Sequence, residues 1–218
     1  MTDREKGYRR DRAIIDLVTE RRCVSADQIE ALLFQGMLSG QRVCQRRLEK
    51  LTAREQLLRW RNALDQPYAY YLDAESRIDQ MAHTVLLNWV YCWQLRRLKS
   101  WERIHSWSYE MDYGILRADA FAAIKNTVTG TFRFAFVELD RAESGNKFDK
   151  ITKYNDLYES DNYADSWWLP LATRFPPVIV ATTTTRRKGR IERALERENR
   201  NGLEFQVYLV DYLKREVI

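Results

Sequence analysis

Four carboxylate residues lie on or beside strand-like segments in the second half of the sequence: Glu110, Asp119, Glu138 and Asp140. The last two end a strongly apolar run, and strand alternation places both of them on one face. A carboxylate at the end of a buried strand, near a second one on the adjacent strand, is how proteins hold Mg²⁺ against a phosphodiester. The alternative is that these carboxylates cap backbone groups or pair with nearby arginines such as Arg117.

A second set of candidate residues lies on a predicted helix over Gln41–Thr52. Its apolar stripe is formed by residues at i, i+4 and i+7, namely Cys44, Leu48 and Leu51. The opposite face, about 180° away at 100° per residue, carries Arg42, Gln45, Arg46 and Glu49. Long side chains with several donors on one face of an anchored helix are typical of base reading in the major groove. We therefore predict DNA contacts by Arg42, Gln45, Arg46 and Lys50.

The segments around this helix predict a helix-turn-helix followed by a hairpin. A first helix is predicted over Arg10–Arg21, and the capping box of Ser25 and Gln28 begins a second helix. Leu57–Arg61 and Tyr68–Leu72 pair as the two strands of a wing.

Two arginines alternate along the first strand of this predicted wing. Arg59 and Arg61 are placed to reach a neighbouring phosphate, so they join the predicted DNA contacts. The alternative is a small helical domain that binds a protein through the same basic helix.

The composition limits the class of protein. Of the 218 residues, 45% are apolar and 31% are charged, which excludes a disordered chain. Three cysteines without CxxC spacing predict reduced thiols rather than disulfides or zinc, and only two histidines are present. The longest apolar stretch, Val85–Leu95, is too short to span a bilayer. We expect a cytoplasmic protein with no membrane partner.

Positive charge is concentrated in two segments. The net charge is +5, and residues 39–61 hold seven basic residues against two acidic ones. Residues 186–200 hold seven basic residues against three acidic ones. Such local clusters on a nearly balanced chain indicate a surface for a polyanion, although solvated helix faces produce the same pattern.

The order of predicted elements changes near residue 75. We predict two domains, at residues 1–75 and 76–218, and an α+β chain as a whole. The predicted elements of the second domain are a helix at Ile78–Leu98, strands at Arg103–Tyr109, Gly114–Ile124 and Thr131–Leu139, a helix at Lys147–Glu159, a strand at Val178–Thr184, a helix at Gly189–Asn199 and a strand at Glu204–Val210. This mixed order favours a central sheet flanked by helices.

Several short motifs resemble one family. They are the opening segment, His83-Thr84-Val85-Leu86-Leu87-Asn88, Leu116-Arg117-Ala118-Asp119-Ala120, and Phe136-Val137-Glu138-Leu139-Asp140-Arg141 with the helix ending at Tyr154–Tyr158. Together they resemble the replication-relaxation family of bacterial plasmids and other mobile elements. The resemblance implies a winged helix-turn-helix followed by an α/β domain of the restriction-endonuclease-like, PD-(D/E)XK nuclease fold with a central mixed sheet.

The same resemblance implies roles for three carboxylates and shows two departures. Asp119 matches the first acid of the nuclease motif and Glu138 the second, which makes them the implied metal ligands, while Glu110 would be an auxiliary acid. Ala118 stands where the family has proline, and Asp140 stands where an active nuclease has lysine. The missing cation would then come from Arg141, Lys147, Lys150 or Lys153.

These observations predict a protein that binds double-stranded DNA of a plasmid or mobile element, in its replication or transcriptional control. The nuclease-like domain would be an inactive scaffold, a dimer interface or a second DNA contact, so a homodimer is one expected arrangement. One alternative is a Mg²⁺-dependent endonuclease or nickase that uses Glu110, Asp119, Glu138 and Asp140. Another is an adaptor whose aromatic helix, Ile78–Leu98, docks a replication or conjugation protein. No cofactor is predicted with certainty; Mg²⁺ is expected if the nuclease-like site is active.

Overall fold

The computed structural model describes residues 2–75, 77–141 and 147–218. Its elements are α1 (Asp3–Arg21), β1 (Cys23–Ser25), α2 (Ala26–Leu33), α3 (Gly40–Ala53), β2 (Leu58–Trp60), β3 (Ala69–Tyr71), α4 (Ile78–Arg96), β4 (Glu102–Asp112), β5 (Arg117–Asn126), β6 (Phe132–Asp140), α5 (Lys150–Glu159), β7 (Val178–Thr182), α6 (Thr185–Glu198), β8 (Phe205–Leu209) and α7 (Val210–Val217). The chain is α+β, as predicted, and it divides into unit 1 (Met1–Cys92 with Val217–Ile218) and unit 2 (Trp93–Glu216).

Unit 1 contains the three helices α1, α2 and α3, a small antiparallel sheet and most of α4. The sheet has the strand order β1-β3-β2, and β2 and β3 are the two strands of a hairpin. One apolar core joins the three helices to the sheet through Ile14, Val18, Val24, Ile29, Phe34, Cys44, Leu48, Leu51, Leu57 and Tyr70. The apolar stripe predicted on the third helix therefore belongs to this core.

The helix starts of unit 1 follow from local capping. Ser25 and Gln28 form the predicted capping box at the start of α2. A second capping box, Thr2 with Glu5, starts α1 at Asp3, so the predicted start at Arg10 was too late. The short strand β1 was not predicted, because three residues give no periodic pattern and its pairing with β3 is a long-range contact.

Unit 1 continues past residue 75, where the sequence placed the domain boundary. Asn88 donates hydrogen bonds of 3.0 and 2.8 Å to the carbonyl oxygens of Arg21 and Cys23. Gln28 donates a 2.7 Å hydrogen bond to the carbonyl oxygen of Val85. These buried polar contacts attach the first turns of α4 to unit 1, which no local pattern in the sequence indicates.

Unit 2 is built on a five-stranded mixed sheet, which confirms the prediction of a central mixed sheet. The strand order is β4-β5-β6-β7-β8; β4, β5 and β6 are antiparallel neighbours, and β6, β7 and β8 are parallel. The two parallel connections each contain a helix, α5 and then α6, as parallel neighbours require.

One face of this sheet packs against α5 and α6. The shared cluster includes Phe121, Phe136 and Val180 from the strands, with Ile151 from α5 and Ile191 from α6. Because side chains alternate along a strand, Phe121 and Asp119 share this face on β5, and Phe136 and Glu138 share it on β6. The two carboxylates therefore lie on the helix-covered side.

The C-terminal helix α7 was not predicted. It follows β8 without a break, and its buried residues Val210, Leu213 and Val217 recur at i, i+3 and i+7. The last strand was predicted to end at Val210, but β8 ends at Leu209 and Val210 is the first residue of α7. Across the three described ranges, no helix combines the length and the apolar character needed to cross a bilayer.

Candidate functional site

The exposed side of α3 carries the residues predicted to contact DNA. We define the α3 surface as Arg42, Gln45, Arg46 and Lys50, all of which are exposed. On the other side of the helix, Cys44, Leu48 and Leu51 are at most 1% exposed. The helix therefore presents long donors to solvent while its apolar stripe anchors it.

A buried ion pair also holds α3 in place. Two of the three guanidinium nitrogens of Arg47, Nε and Nη2, donate to the two carboxylate oxygens of Asp11 on α1. Gly7 allows this approach, since a Cβ there would lie 3.2 Å from Nη1 of Arg47. Sequence reasoning missed the role of Arg47. Its spacing, i+3 from Cys44 and i−4 from Leu51, was the available signal for an inward-facing arginine.

The hairpin arginines lie against one aromatic ring. The guanidinium carbons of Arg59 and Arg61 are 4.5 and 4.8 Å from the centre of the Tyr68 ring. Arg61 also donates a 3.3 Å hydrogen bond to the carbonyl oxygen of Leu64. The ring attracts both cations without neutralising them, so the hairpin keeps two positive charges in a defined place.

In unit 2, strand register brings three of the four predicted carboxylates into one row. Tyr109 pairs with Ala120 and Met111 pairs with Ala118, so Glu110 lies opposite Asp119. The pairing of β5 with β6 reaches Ala120 and Val137, and the next residue on each strand is Asp119 and Glu138. The hydrogen bond from the backbone N–H of Leu139 to Asp119 also places Asp119 beside this end of β6. We call Glu110, Asp119 and Glu138 the carboxylate row.

Glu138 is the buried centre of this row, with 1% exposure. Its Oε1 accepts a 2.7 Å hydrogen bond from the Tyr154 hydroxyl, and its Oε2 lies 2.8 Å from Nζ of Lys150. Burial, with a smaller contribution from the negative charge of Asp119, raises the pKa of Glu138 to about 8. Lys150 opposes this shift but does not cancel it.

Lys150, one of the four predicted candidate cations, contacts the row at Glu138. It is the first residue of α5, and its Nζ also donates a 2.5 Å hydrogen bond to the carbonyl oxygen of Arg117. Lys150 and Tyr154 reach Glu138 together because residues four apart share one face of a helix. This K-x-x-x-Y spacing was the signal in the sequence that could have singled out Lys150.

The other two carboxylates of the row have different surroundings. Asp119 is half-buried and accepts a 2.7 Å hydrogen bond from the backbone N–H of Leu139. Glu110 is exposed and pairs with Arg117 at 2.8 Å. Its backbone φ is 58°, a left-handed conformation that is costly for a glutamate within a strand. The pairing alternative that the sequence left open for Glu110 is thus the arrangement observed.

Asp140 does not join the row. Its carboxylate is held by the guanidinium group of Arg187 on α6, and both residues are buried. Asp140 therefore acts as the anchor of α6 in this structure, and a ligand role for it would require breaking a buried ion pair.

The carboxylate row offers few ligands to a metal ion, which suits an ion that needs only one or two carboxylates from the protein. Within the described residues, no group of three or more His, Cys, Asp or Glu side chains is arranged to hold a metal ion. Mg²⁺ needs fewer, since it is bound through one or two carboxylates together with waters and phosphate oxygens. Asp119 and Glu138 supply two carboxylates, so the residues present fit Mg²⁺ in that mode.

The aromatic helix α4, which the adaptor hypothesis used, buries most of its large side chains. Trp89 and Trp93 are 3% and 4% exposed, whereas Ile78 and Leu95 are exposed. The two tryptophans are therefore packing residues, as their spacing indicated.

No family model, no curated protein and no solved structure matches this chain. What the protein does must therefore be inferred from the α3 surface and the carboxylate row themselves.

Proposed function

We propose that this chain binds double-stranded DNA and that α3 is its recognition helix. The observation that carries the proposal is the division of α3: Arg42, Gln45, Arg46 and Lys50 are exposed, while the opposite stripe is buried. Arginine and glutamine are the side chains whose paired donors and acceptors match guanine and adenine edges in the major groove.

The arrangement of unit 1 supports this proposal. The order α1-β1-α2-α3-β2-β3, with a sheet ordered β1-β3-β2, is that expected for a winged helix-turn-helix. In such domains the second helix of the pair enters the major groove and the flanking elements contact the backbone. Arg59 and Arg61 on the hairpin fit the second task, since they carry charge without base-reading geometry.

The biological setting rests on the motif resemblance. A relative of the replication-relaxation family would act on plasmid or mobile-element DNA in the cytoplasm, in its replication or transcriptional control. In this proposal unit 2 has the nuclease-like fold and is a scaffold, a dimer interface or a second DNA contact.

The test replaces two residues of the α3 surface. The wild-type protein first selects a duplex from a randomised library, and binding to it is measured by fluorescence anisotropy. Arg42→Ala/Arg46→Ala should weaken binding by at least about tenfold, since each base-reading contact contributes about 1–3 kcal/mol. The matched control, Arg9→Ala/Arg12→Ala on α1, removes the same charge and should bind nearly as wild type. If the α3 variant binds every duplex as tightly as the control, α3 is not the recognition helix.

A second candidate function is Mg²⁺-dependent cleavage of DNA, and one observation favours it. Nζ of Lys150 lies 2.8 Å from Glu138, next to Asp119, and so supplies the cation that Asp140 cannot. A preorganised cation of this kind stabilises the negative charge that develops on a phosphodiester during hydrolysis. Asp119 and Glu138 would hold the ion, which would supply Lewis-acid activation of the phosphate when bound. Proton binding competes with the ion, because the pKa of Glu138 is raised.

Nicking of supercoiled plasmid with Mg²⁺ or Mn²⁺ tests this candidate. Nicking should disappear in Glu138→Gln and fall strongly in Lys150→Met, whereas Glu159→Gln, an exposed control on α5, should cleave as wild type. Absence of nicking with either metal would leave unit 2 without an enzymatic role.

A further inference from the structure

Helix α6 carries an exposed stripe of arginines that neither candidate function has used. We define the α6 stripe as Arg186, Arg190, Arg193 and Arg197, all exposed. They follow one another at i, i+4, i+7 and i+11, so at 100° per residue they fall within an arc of about 60°. Four positive charges therefore form one line along the helix.

The charges of the stripe are not neutralised by the rest of the described chain. None of the four arginines has an ion pair within residues 2–75, 77–141 and 147–218. Two of the three acids of α6 pair with lysines instead: Glu192 lies 2.6 Å from Lys188, and Glu198 lies 3.0 Å from Lys147. Like charges four residues apart destabilise a helix, so the stripe does not serve the stability of α6.

Three arginines of the stripe line a groove. A cavity of about 300 Å³ is lined by Arg190, Arg193, Arg197, Lys147 and Phe148, with Arg187, Ile191 and Ala194 at its base. From Arg186 to Arg197 the helix rises about 16 Å, at 1.5 Å per residue. That length is enough to follow several phosphates of one DNA strand, which are spaced about 3.4 Å apart along the duplex axis.

The start of α6 lies at the C-terminal end of β6. Arg187 ties the first turn of α6 to Asp140, the last residue of that strand. Residues 185–198 contain no aromatic side chain for base stacking, which favours the backbone of a duplex over single-stranded DNA.

We propose that the α6 stripe binds the phosphate backbone of duplex DNA. It is a second, sequence-independent DNA contact of the chain, and it rests on the proposed function in unit 1. The stripe determines affinity and its salt dependence, whereas the α3 surface determines which sequence is bound.

The test measures duplex affinity as a function of salt concentration for the full chain. Arg190→Ala/Arg193→Ala should reduce the slope of log K against log [salt] by about 2, since each phosphate contact contributes about 0.9. The loss of affinity should be equal for the selected duplex and for a random-sequence duplex. Arg96→Ala/Arg103→Ala, which removes two exposed arginines elsewhere in unit 2, is the matched control and should leave the slope unchanged. Arg190→Lys/Arg193→Lys keeps both positive charges and should therefore show the wild-type slope. It controls for misfolding of the alanine variant.

The outcomes separate this inference from the proposed function. An unchanged slope in the α6 variant, with binding lost in Arg42→Ala/Arg46→Ala, overturns the inference alone. A reduced slope in the α6 variant, with no effect of the α3 variant, supports the inference and overturns the recognition helix. Tighter binding of a single strand than of the duplex through the stripe, or no DNA binding by the wild type, overturns the inference.

Discussion

Replacing Glu138 with glutamine should remove a pH dependence of stability that this carboxyl group causes. The carboxyl is 1% exposed, and burial raises its pKa from an ordinary value of 4.5 to about 8. Glutamine has the shape of the protonated acid, accepts the hydrogen bond from Tyr154 and carries no charge. The variant therefore isolates the effect of ionising Glu138 in place.

The sign and size of the effect follow from proton linkage. Between pH 4.5 and pH 8 the folded protein holds a proton on Glu138 that the unfolded chain has released, so stability falls as pH rises. This contribution is fully present below pH 4.5 and is lost above pH 8. Each pKa unit corresponds to about 1.36 kcal/mol, so the wild type should lose about 2 to 3 kcal/mol between pH 5 and pH 7 from this group.

Urea denaturation of the wild type and Glu138→Gln at half-unit steps from pH 5 to pH 9 measures this difference. The free energy of unfolding of the variant, minus that of the wild type, should rise by about 2 to 3 kcal/mol between pH 5 and pH 7, reach a total of about 4 kcal/mol and level off above about pH 8. Glu159→Gln is the control: hydrogen bonds from Arg200 and Asn201 lower the pKa of Glu159 to about 2, so its difference should stay constant in this range. Parallel pH profiles for Glu138→Gln and the wild type would refute the burial argument.

Three further substitutions test how unit 1 holds α3. Asp11→Ala leaves a buried guanidinium without its carboxylate and should cost about 3–5 kcal/mol in urea denaturation, against about 0–1 for Asp16→Ala in an exposed pair on the same helix. Gly40→Ala should lower the melting temperature measured by circular dichroism, because its Cβ would overlap the backbone carbonyl oxygen of Phe34. Ser25→Ala removes a helix cap and should cost about 1 kcal/mol in the same denaturation assay.

Each of these expectations has a contradicting result. Equal losses for the two aspartate variants would mean that the Asp11 pair is not desolvated. An unchanged melting temperature for Gly40→Ala would mean that the turn before α3 is wider than described. For Ser25, Ser25→Thr retains a hydroxyl and should lose less than alanine; equal losses would show that the cap does not determine the start of α2.

Much of unit 1 was predictable because its signals are local. The Ser25 capping box, the apolar period of α3 and the turn residues between the hairpin strands lie within a few residues of the structure that they determine. Arg47 was not predictable with the same ease. The sequence does not distinguish the arginines of one helix from each other. Only the tertiary fold shows that Arg47 has Asp11 as a buried partner.

The carboxylate row shows the same limit in unit 2. Apolar runs and alternation indicated the strands and placed Glu138 and Asp140 on one face of β6. They could not give the register that aligns Glu110 with Asp119 and Asp119 with Glu138, since register is a relation between strands. Nor could they show that Asp140 pairs with Arg187.

The α+β class, the strands of the central sheet, the basic segments and the division of α3 into an apolar and a basic face could all be predicted from the amino-acid sequence. Local periodicity and capping encode these features, because each depends on residues within one or two turns. Which basic side chains pair with carboxylates inside the protein, and which remain on its surface, depends on the tertiary structure. Arg47, Lys150 and Arg187 meet buried carboxylates, while the α3 surface and the α6 stripe do not. That difference arises from contacts between distant segments. Where these contacts bring no carboxylate to a basic side chain, water or a polyanion must balance its charge.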